Sequence, residues 1–231
     1  MRKFDYTFLK KISVPADIMN SATSIYEMKA KAELRRTDFA DVFSAMESVA
    51  KIQSVKSSNA IEGIITTDKR ICDIVNKSTA PQGHNELEIA GYRDALDLIH
   101  GSYSDIPFSE KSILQLHRML LRLSGDDLAG KDKTEDNFIM ETDRRGVRSV
   151  RFTPVPASET SAAMEQLILA YHDAYSESEI NPLLLIPCVI LDFLCIHPFR
   201  DGNGRMSRLL SLLLLGCWTL LRTGWRRLTA K

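Results

Sequence analysis

Residues 197–208 carry the densest group of chemically active side chains in the sequence, and they read HPFRDGNGRMSR. This stretch combines a histidine, an aspartate, a Gly-Asn-Gly turn and two arginines within twelve positions. Such a group can hold a nucleotide triphosphate with a metal ion while a base removes a proton from an attacking group. Each residue alone is equally typical of a helix end, an ordinary turn or a solvated surface.

The spacing assigns a task to each of these side chains. The Gly-Asn-Gly turn can adopt conformations closed to other residues and can direct backbone N–H groups at an anion. Residues 205–215 predict a helix whose N-terminus attracts anions. Arg205 and Arg208 are three apart, so both can reach one site, and their planar guanidinium groups suit phosphate. Asp201 is an oxygen ligand of the kind that Mg²⁺ prefers beside phosphates.

The apolar stretch at residues 182–196 predicts the buried helix that must position this loop. Asn181 is the expected N-cap, with a proline at the first helical position. A bend is expected near Pro187. Pro198 disfavours the helical conformation for His197, so the helix should end there and leave the histidine at the edge of the core.

The stretch resembles the signature of the Fic/DOC family, His-x-Phe-x-Asp/Glu-Gly-Asn-Gly-Arg-x-x-Arg, and meets every fixed position. The resemblance extends over about residues 35–215. It implies a mainly α fold, a Fic-type helical bundle with a small β-hairpin flap over the active site. It also implies a protein adenylyltransferase, which transfers AMP from ATP to a Ser, Thr or Tyr hydroxyl of a protein target or of itself and releases pyrophosphate.

The resemblance also implies a role for each residue of the signature. His197 would be the general base for the target hydroxyl, and Asp201 would hold the cofactor Mg²⁺ between the α- and β-phosphates of ATP. Arg208 would bind the γ-phosphate, and Phe199 would anchor the loop from below. The implied nucleotide-binding residues are Gly202, Asn203, Gly204, Arg205 and Arg208.

A second group lies at residues 57–63, which read SSNAIEG. Ser58 and Glu62 are four apart, hence on one helical face, and Gly63 is a natural helix stop. Taken alone, this is the end of a helix with a solvated glutamate. The family resemblance makes it the inhibitory motif Ser/Thr-x-x-x-Glu-Gly/Asn of class II members. Ser58, Glu62 and Gly63 would then be regulatory, with Glu62 pairing with Arg208 and locking the resting enzyme.

Residues 137–139 and 147–154 predict two short strands around a turn at residues 143–146. A surface hairpin without a role is one interpretation. In the Fic family such a hairpin is the flap, which positions the target peptide as an added strand. Two departures bear on target specificity: Lys133 stands where the family often has arginine, and a valine separates the two prolines after the hairpin.

Other segments also predict helices, namely residues 87–99, residues 109–123 with Ser109 as N-cap, and a helix begun by Ser158 that extends to residue 175. Four further histidines lack metal-ligand spacing and are expected to be surface or packing residues: His84, His100, His117 and His172. The predicted units are an N-terminal segment at 1–34, a Fic domain at 35–215 with an inhibitory helix ending near residue 62, and a tail at 216–231.

Composition narrows the functional class. The formal net charge is zero, so nothing in the bulk charge indicates nucleic-acid binding, and no nucleic-acid partner is expected. No signal peptide is apparent, and the apolar residues 209–221 are too few to span a bilayer. The four cysteines lack metal spacing and are expected to be reduced. A cytoplasmic protein with no membrane partner is therefore expected.

The tail departs from the family's usual continuation. Trp218 and Trp225, beside several arginines, would suit a membrane-binding or partner-binding tail. A truncated chain or a shifted reading frame is the preferred explanation.

Three functions stay open at this stage. The favoured one is the autoinhibited protein adenylyltransferase, with ATP and a hydroxyl-bearing protein as partners and with a homo-oligomer left open. The second keeps the fold but transfers UMP or phosphate, or removes AMP from its target. The third is a non-enzymatic interaction module, against which the intact His197 argues.

Overall fold

The computed structural model describes residues 4–177 and 179–222, with the backbone alone for residues 218–222. Its helices are α1 Ala16–Arg35, α2 Ala40–Ile61, α3 Asp68–Val75, α4 Gly83–Ser102, α5 Glu110–Leu121, α6 Thr160–Ser176, α7 Pro182–Ile196 and α8 Asn203–Arg222. Short 3₁₀ turns lie at Thr7–Lys10, Tyr103–Asp105 and Ala157–Glu159. Strands β1 Ile139–Thr142 and β2 Arg148–Phe152 pair antiparallel. The prediction of a mainly helical fold with one small hairpin is confirmed.

Helix α8 lies in the centre of the bundle and packs against α7, α4, α5 and the end of α2. Its buried apolar side chains recur at the helical spacing that gives one continuous face: Met206, Leu209, Leu210, Leu213 and Leu214. Helix α4 lies beside it and also contacts α5, α2 and α3. The functional residues at the N-terminus of α8 are therefore surrounded by the packed core.

The ends of α7 follow from its sequence. Asn181 Oδ1 accepts a hydrogen bond from the backbone N–H of Leu183 at 2.9 Å, and Pro182 occupies the first turn. The helix ends at His197, which has a φ of 54° in the left-handed region, ahead of Pro198. The predicted start and end of this helix are confirmed, and Pro187 lies inside it.

The hairpin turn is closed by the side chain and backbone of Asp143. Its N–H donates to Val147 O at 3.0 Å, and its Oδ1 accepts from the N–H groups of Arg145 and Val147 at 2.8 Å. Gly146 has a φ of 81°, which glycine adopts without strain. The prediction of a hairpin around residues 143–146 is confirmed. Strand β1 covers residues 139–142 instead of the predicted 137–139, and β2 is shorter than the predicted segment 147–154.

The prediction that Ser158 begins a helix is wrong. Ser158 lies inside the 3₁₀ turn Ala157–Glu159, and α6 begins only at Thr160. The chain leaves Pro156 in an extended conformation and closes a tight turn first, with Glu159 N–H donating to Pro156 O at 3.0 Å. The N-cap prediction for Ser109 is confirmed, because its Oγ accepts from the N–H of Ser112 at 3.3 Å.

The beginning of the chain packs on the bundle. Phe4, Tyr6 and Leu9 are buried, and Tyr6 Oη donates to Asp192 Oδ2 of α7 at 3.0 Å. The expected boundary at residue 34 falls in the last turn of α1, a helix without buried side chains.

The tail at 216–231 begins inside α8, where Cys217 Sγ lies 3.2 Å from Tyr103 O. Trp225 and the arginines beside it lie outside the described residues, and for Trp218 the backbone alone is described. In the described ranges, no helix combines the length and apolarity that crossing a membrane requires.

Candidate active site

The loop between α7 and α8 is closed by Asn203, the first residue of α8. Its Oδ1 accepts from Phe199 N–H at 3.0 Å, and its Nδ2 donates to Phe199 O at 2.7 Å. Gly202 just before it has a φ of 82°, where a Cβ would also come within 3.2 Å of Leu120 Cδ2. Asn203 and Gly202, both predicted to bind nucleotide, thus also determine the shape of the loop.

His117 of α5 supports this loop from below. Its ring stacks on that of Phe199, with centroids 3.7 Å apart and an interplanar angle of 4°. Its Nδ1 accepts from Gly130 N–H at 2.9 Å, so its Nε2 carries the proton and donates to Asp201 O at 3.0 Å. Burial lowers the pKa of His117 to about 4, so the ring is neutral at physiological pH.

The role of His117 was not predicted beyond packing. It falls on the apolar face of α5 with Ile113, Leu116, Leu120 and Leu121, which is a sequence signal for a buried histidine. Its hydrogen bond to Asp201, 84 positions away, has no counterpart in the sequence pattern.

Lys133 and Asn137 tie the loop to the base of the hairpin. Lys133 is buried, and its Nζ donates to Ile196 O at 3.1 Å and to Asn137 Oδ1 at 2.9 Å. Its backbone N–H donates to Pro198 O at 2.8 Å, and Asn137 Nδ2 donates to Phe199 O at 3.1 Å. Burial lowers the pKa of Lys133. The lysine that departs from the family pattern is thus part of the support of the His197 loop.

His197, the predicted general base, lies half-buried at the mouth of this loop. Its Nδ1 lies 3.3 Å from Leu194 O, which favours the tautomer with the proton on Nδ1 and a lone pair on Nε2. Burial lowers the pKa of His197, although the carboxylates of Glu62 and Asp201 oppose that shift. A neutral imidazole with an accessible lone pair can accept a proton from a hydroxyl group.

Arg205 is almost completely buried, with 1% of its side chain exposed. Its Nη1 is bound to Glu88 Oε2 of α4, and its Nη2 lies 3.4 Å from Asp201 Oδ2. In this structure the residue predicted to contact phosphates binds two carboxylates, one of which is the predicted metal ligand. No sequence signal identified Glu88, whose Oε1 also lies 2.7 Å from Nε2 of His84.

Arg208 is bound to the end of α2. Its Nε donates to Ser58 Oγ at 2.7 Å, and its Nη2 donates to Ser58 O at 2.9 Å and to Glu62 Oε1 at 2.7 Å. The structure therefore brings together the signature arginine and two residues predicted to be regulatory. These are charge-assisted hydrogen bonds, which are stronger than those between neutral groups.

Gly63, the third residue predicted to be regulatory, ends α2 and determines where Glu62 lies. It has a φ of 76°, and its N–H donates to Ala60 O at 3.0 Å. Ile64 N–H donates to Asn59 O at 3.0 Å, which completes a Schellman motif. The carboxylate of Glu62 is thereby placed at the last turn, where it reaches α8.

Gly204 allows the carboxylate of Glu62 to approach α8 closely. A Cβ at this position would collide with Glu62 Oε1. Gly204 lies in the first turn of α8, where free N–H groups and the helix dipole favour an anion. Glu62 thus lies at the position where the helix would receive a phosphate group.

Asp201 is the one signature carboxylate that could take part in holding a metal ion. Its side chain is 65% exposed, and its Oδ1 accepts from Gly202 N–H at 2.6 Å. Among the residues with described side chains, no group of three or more His, Cys, Asp and Glu could hold a metal ion. One exposed carboxylate fits Mg²⁺, which is typically held by one or two carboxylates together with substrate phosphates.

Residues 107–215 match the model of the Fic/DOC family. Two curated relatives are protein adenylyltransferases. Protein adenylyltransferase Fic of Nematostella vectensis is 27% identical over 171 residues, which cover 70% of this chain and 36% of the relative. Protein adenylyltransferase fic-1 of Caenorhabditis elegans is 28% identical over 189 residues, which cover 79% of this chain and 32% of the relative. The matched region thus spans about a third of each relative's length.

Solved structures show the same fold. A Fic-domain signalling protein of Bacteroides thetaiotaomicron superposes with a TM-score of 0.67 at 23% identity, covering 78% of this chain and 67% of that chain. A Fic family protein of Desulfovibrio desulfuricans superposes with a TM-score of 0.73 at 21% identity, covering 91% of this chain and 60% of that chain. Residues 107–215 of this chain thus match the Fic/DOC family model, and the chain shares its fold with these solved Fic proteins.

Proposed function

We propose that this protein is an adenylyltransferase that transfers AMP from ATP to a Ser, Thr or Tyr hydroxyl of a protein target or of itself. The observation that carries the proposal is the position of His197. Burial lowers the pKa of this imidazole, and its Nδ1 contact with Leu194 O leaves Nε2 as the proton acceptor. His197 stands five residues before Gly202, where the predicted phosphate-binding turn begins. The names of the two curated relatives support the same reaction.

The reaction is a displacement at the α-phosphorus of ATP. The target hydroxyl oxygen forms a bond to that phosphorus while the bond to the oxygen bridging the α- and β-phosphates breaks. Pyrophosphate leaves, and the hydroxyl proton passes to Nε2 of His197. The N–H groups of Gly202, Asn203 and Gly204 would stabilise the charge on the phosphoryl oxygens, as positioned donors do in such transfers.

Asp201 would hold Mg²⁺ together with the phosphates of ATP, and the ion would neutralise part of their charge. This chain supplies the orientation of the carboxylate. The Asp201 backbone carbonyl is bound by His117, and its Oδ2 lies beside Nη2 of Arg205. We therefore assign Arg205 to the nucleotide site, where it would orient the Asp201 carboxylate and attract the phosphates bound next to that carboxylate.

We also propose that Glu62 inhibits the resting enzyme, and the contacts of Arg208 support this proposal. Arg208 is the residue expected to bind the γ-phosphate, and its Nη2 is bound to Glu62 and Ser58. Release of Glu62 would free both the guanidinium group and the N-terminus of α8 for ATP. The homo-oligomer and the cytoplasmic location stay predictions.

The proposal is tested by comparing the wild type, Glu62→Gly, and Glu62→Gly combined with His197→Ala. Each is incubated with Mg²⁺ and with ATP labelled at the α- or the γ-phosphate, alone and in cell lysate. Protein-bound label from α-labelled ATP alone, strongest in Glu62→Gly and absent without His197, is the expected result. Label from the γ-position would mean phosphate transfer, and no label from either nucleotide would refute adenylyl transfer from ATP. Label equal in wild type and Glu62→Gly would refute the inhibitory role of Glu62.

A further inference from the structure

The β1–β2 hairpin concentrates positive charge on a chain whose formal net charge is zero. Within residues 139–152 there are two acidic residues and four exposed arginines, namely Arg144, Arg145, Arg148 and Arg151. Arg151 Nε lies 3.9 Å from Glu141 Oε2, and in the described ranges the other three arginines form no ion pair. Asp143 uses its Oδ1 inside the turn. The hairpin therefore carries a net positive charge, and three of its guanidinium groups form no ion pair in the described ranges.

Both ends of the hairpin are bound to the segment that carries His197. Before β1, Asn137 Nδ2 donates to Phe199 O at 3.1 Å. After β2, Val155 N–H lies 3.4 Å from Cys195 O. These two contacts flank His197 in sequence, so the base of the hairpin lies beside the predicted general base. A segment bound along the hairpin can bring a hydroxyl group to that base.

The strands themselves can bind an extended chain. The sheet has two strands in the described part, so each strand has an edge with unpaired backbone groups. Met140 and Val150 form a cross-strand pair and are 47% and 52% exposed. Arg148 lies on the same face as Val150, because side chains two apart in a strand point the same way. Edge hydrogen bonds and apolar contact suit a peptide better than a nucleic acid.

We propose that the hairpin binds an extended acidic segment of the target protein, with Asp or Glu residues close to the modified hydroxyl. The inference rests on the proposed function and names the substrate class of that site. Arg144, Arg145 and Arg148 would pair with the target carboxylates, since the arginine fork can bind both oxygens of a carboxylate. The preference for acidic targets comes from this charge, and backbone pairing adds affinity without sequence preference.

Binding is measured first, in a His197→Ala background so that the transfer reaction cannot interfere. The probes are three fluorescein-labelled peptides with one central threonine, flanked by Asp and Glu, by Ala and Ser, or by Lys. Fluorescence anisotropy gives each Kd at low and at high NaCl. The test variant combines Arg144→Ala, Arg145→Ala and Arg148→Ala. The matched control removes three exposed basic side chains elsewhere, with Arg35→Ala, Lys69→Ala and Lys111→Ala.

We expect the acidic peptide to bind about tenfold or more tightly than the lysine peptide, with a preference that weakens at high salt. The hairpin variant should lose that preference, and the control should keep it. Equal Kd values for the three peptides, or an unchanged preference in the hairpin variant, would overturn the inference. Tighter binding of a single-stranded oligonucleotide to the same arginines would also overturn it, in favour of a nucleic-acid partner.

A second measurement separates this inference from the proposed function. Self-labelling of Glu62→Gly by α-labelled ATP reports the transfer reaction without a peptide. If the protein labels itself but binds the three peptides without a charge preference, the adenylyl transfer is supported and the binding of an acidic target segment is refuted. A charge preference that depends on the hairpin, without labelling from either form of ATP, would support the binding surface and refute the adenylyl transfer.

Discussion

Arg208 donates from Nη2 to Oε1 of Glu62 at 2.7 Å, which joins two residues 146 positions apart in the chain. The same nitrogen also donates to Ser58 O, and Nε donates to Ser58 Oγ. The last turn of α2 therefore occupies three donor directions of one guanidinium group. An anion that binds the Nε and Nη2 side of Arg208 must displace these contacts.

Ser58→Ala tests this competition without removing a charge. The variant deletes the acceptor of the Arg208 Nε donor, and we expect ATP to bind several-fold more tightly because one hydrogen bond contributes about 0.5–1.5 kcal/mol. Isothermal titration with ATP and Mg²⁺ measures the effect. Ser57→Ala, at the exposed neighbouring position, is the control and should bind ATP like the wild type. Identical affinities in both variants would contradict the competition.

His117 should make the stability of the fold depend on pH. The unfolded chain takes up a proton near the ordinary histidine pKa of about 6.5, whereas the folded ring resists protonation down to about 4. The free energy of unfolding should therefore fall as pH decreases through this window, by about 2 kcal/mol between pH 7 and pH 5. Urea titrations at both pH values measure the change.

His117→Phe provides the matched variant for this pH dependence. The variant keeps an aromatic ring against Phe199 but leaves Gly130 N–H and Asp201 O without their hydrogen-bond partner. Each of these two unpaired groups should lower the free energy of unfolding at pH 7 by about 1–3 kcal/mol. Between pH 7 and pH 5, the free energy of unfolding of this variant should fall much less than that of the wild type. His100→Ala, at an exposed position of α4, should keep the wild-type pH dependence. If the pH dependence of stability is unchanged in His117→Phe, titratable groups other than His117 cause it.

Glu88→Gln should be strongly destabilising, because it leaves the buried guanidinium of Arg205 without its main carboxylate partner. The expected loss is about 3–5 kcal/mol, which is typical when one member of a buried ion pair is removed. The urea midpoint gives the loss, provided the m-value is unchanged. His84→Ala removes the other contact of Glu88, but His84 is 68% exposed, so less than about 1 kcal/mol is expected. Equal losses in the two variants would refute a dominant role for the Arg205 pair.

Gly63→Ala and Gly101→Ala should shift stability in opposite directions. Neither Cβ would meet an atom within 4 Å, so the backbone conformation decides. Gly63 has a φ of 76° at the end of α2, and alanine there should cost about 1–2 kcal/mol. Gly101 lies in α4, where alanine should add about 0.5–1 kcal/mol. Thermal and urea unfolding measure both changes, and a loss in both variants would contradict the conformational explanation.

The local signals in the sequence predicted the ends of elements well where one side chain acts on the adjacent backbone. Asn181 caps α7, Pro198 ends it at His197, and Ser109 caps α5. The prediction failed at Ser158, where the preceding proline and a 3₁₀ turn displaced the start of α6 to Thr160. A serine before an amphipathic segment does not show which of several turns the chain closes first.

The supporting residues of the site could not be predicted in the same way. Glu88 looks like any acidic residue on an amphipathic helix until α4 packs against α8 and buries it with Arg205. Lys133 appeared as a departure from the family pattern, and only the fold shows its Nζ bound to Ile196 O. Their roles depend on burial, and burial is a property of the packed helices.

The sequence by itself determined the identity and spacing of the residues in the loop, the helix ends beside them and the turn of the hairpin. Backbone sterics, capping and proline geometry act within a few residues, so they can be inferred from the sequence alone. The pairing of Glu62 with Arg208 was expected from the family resemblance, and the structure shows the contact itself. The tertiary structure alone decided that Glu88 neutralises Arg205 and that His117 supports Phe199. These partners come from different helices, and their pairing depends on how α2, α4 and α5 pack around α8.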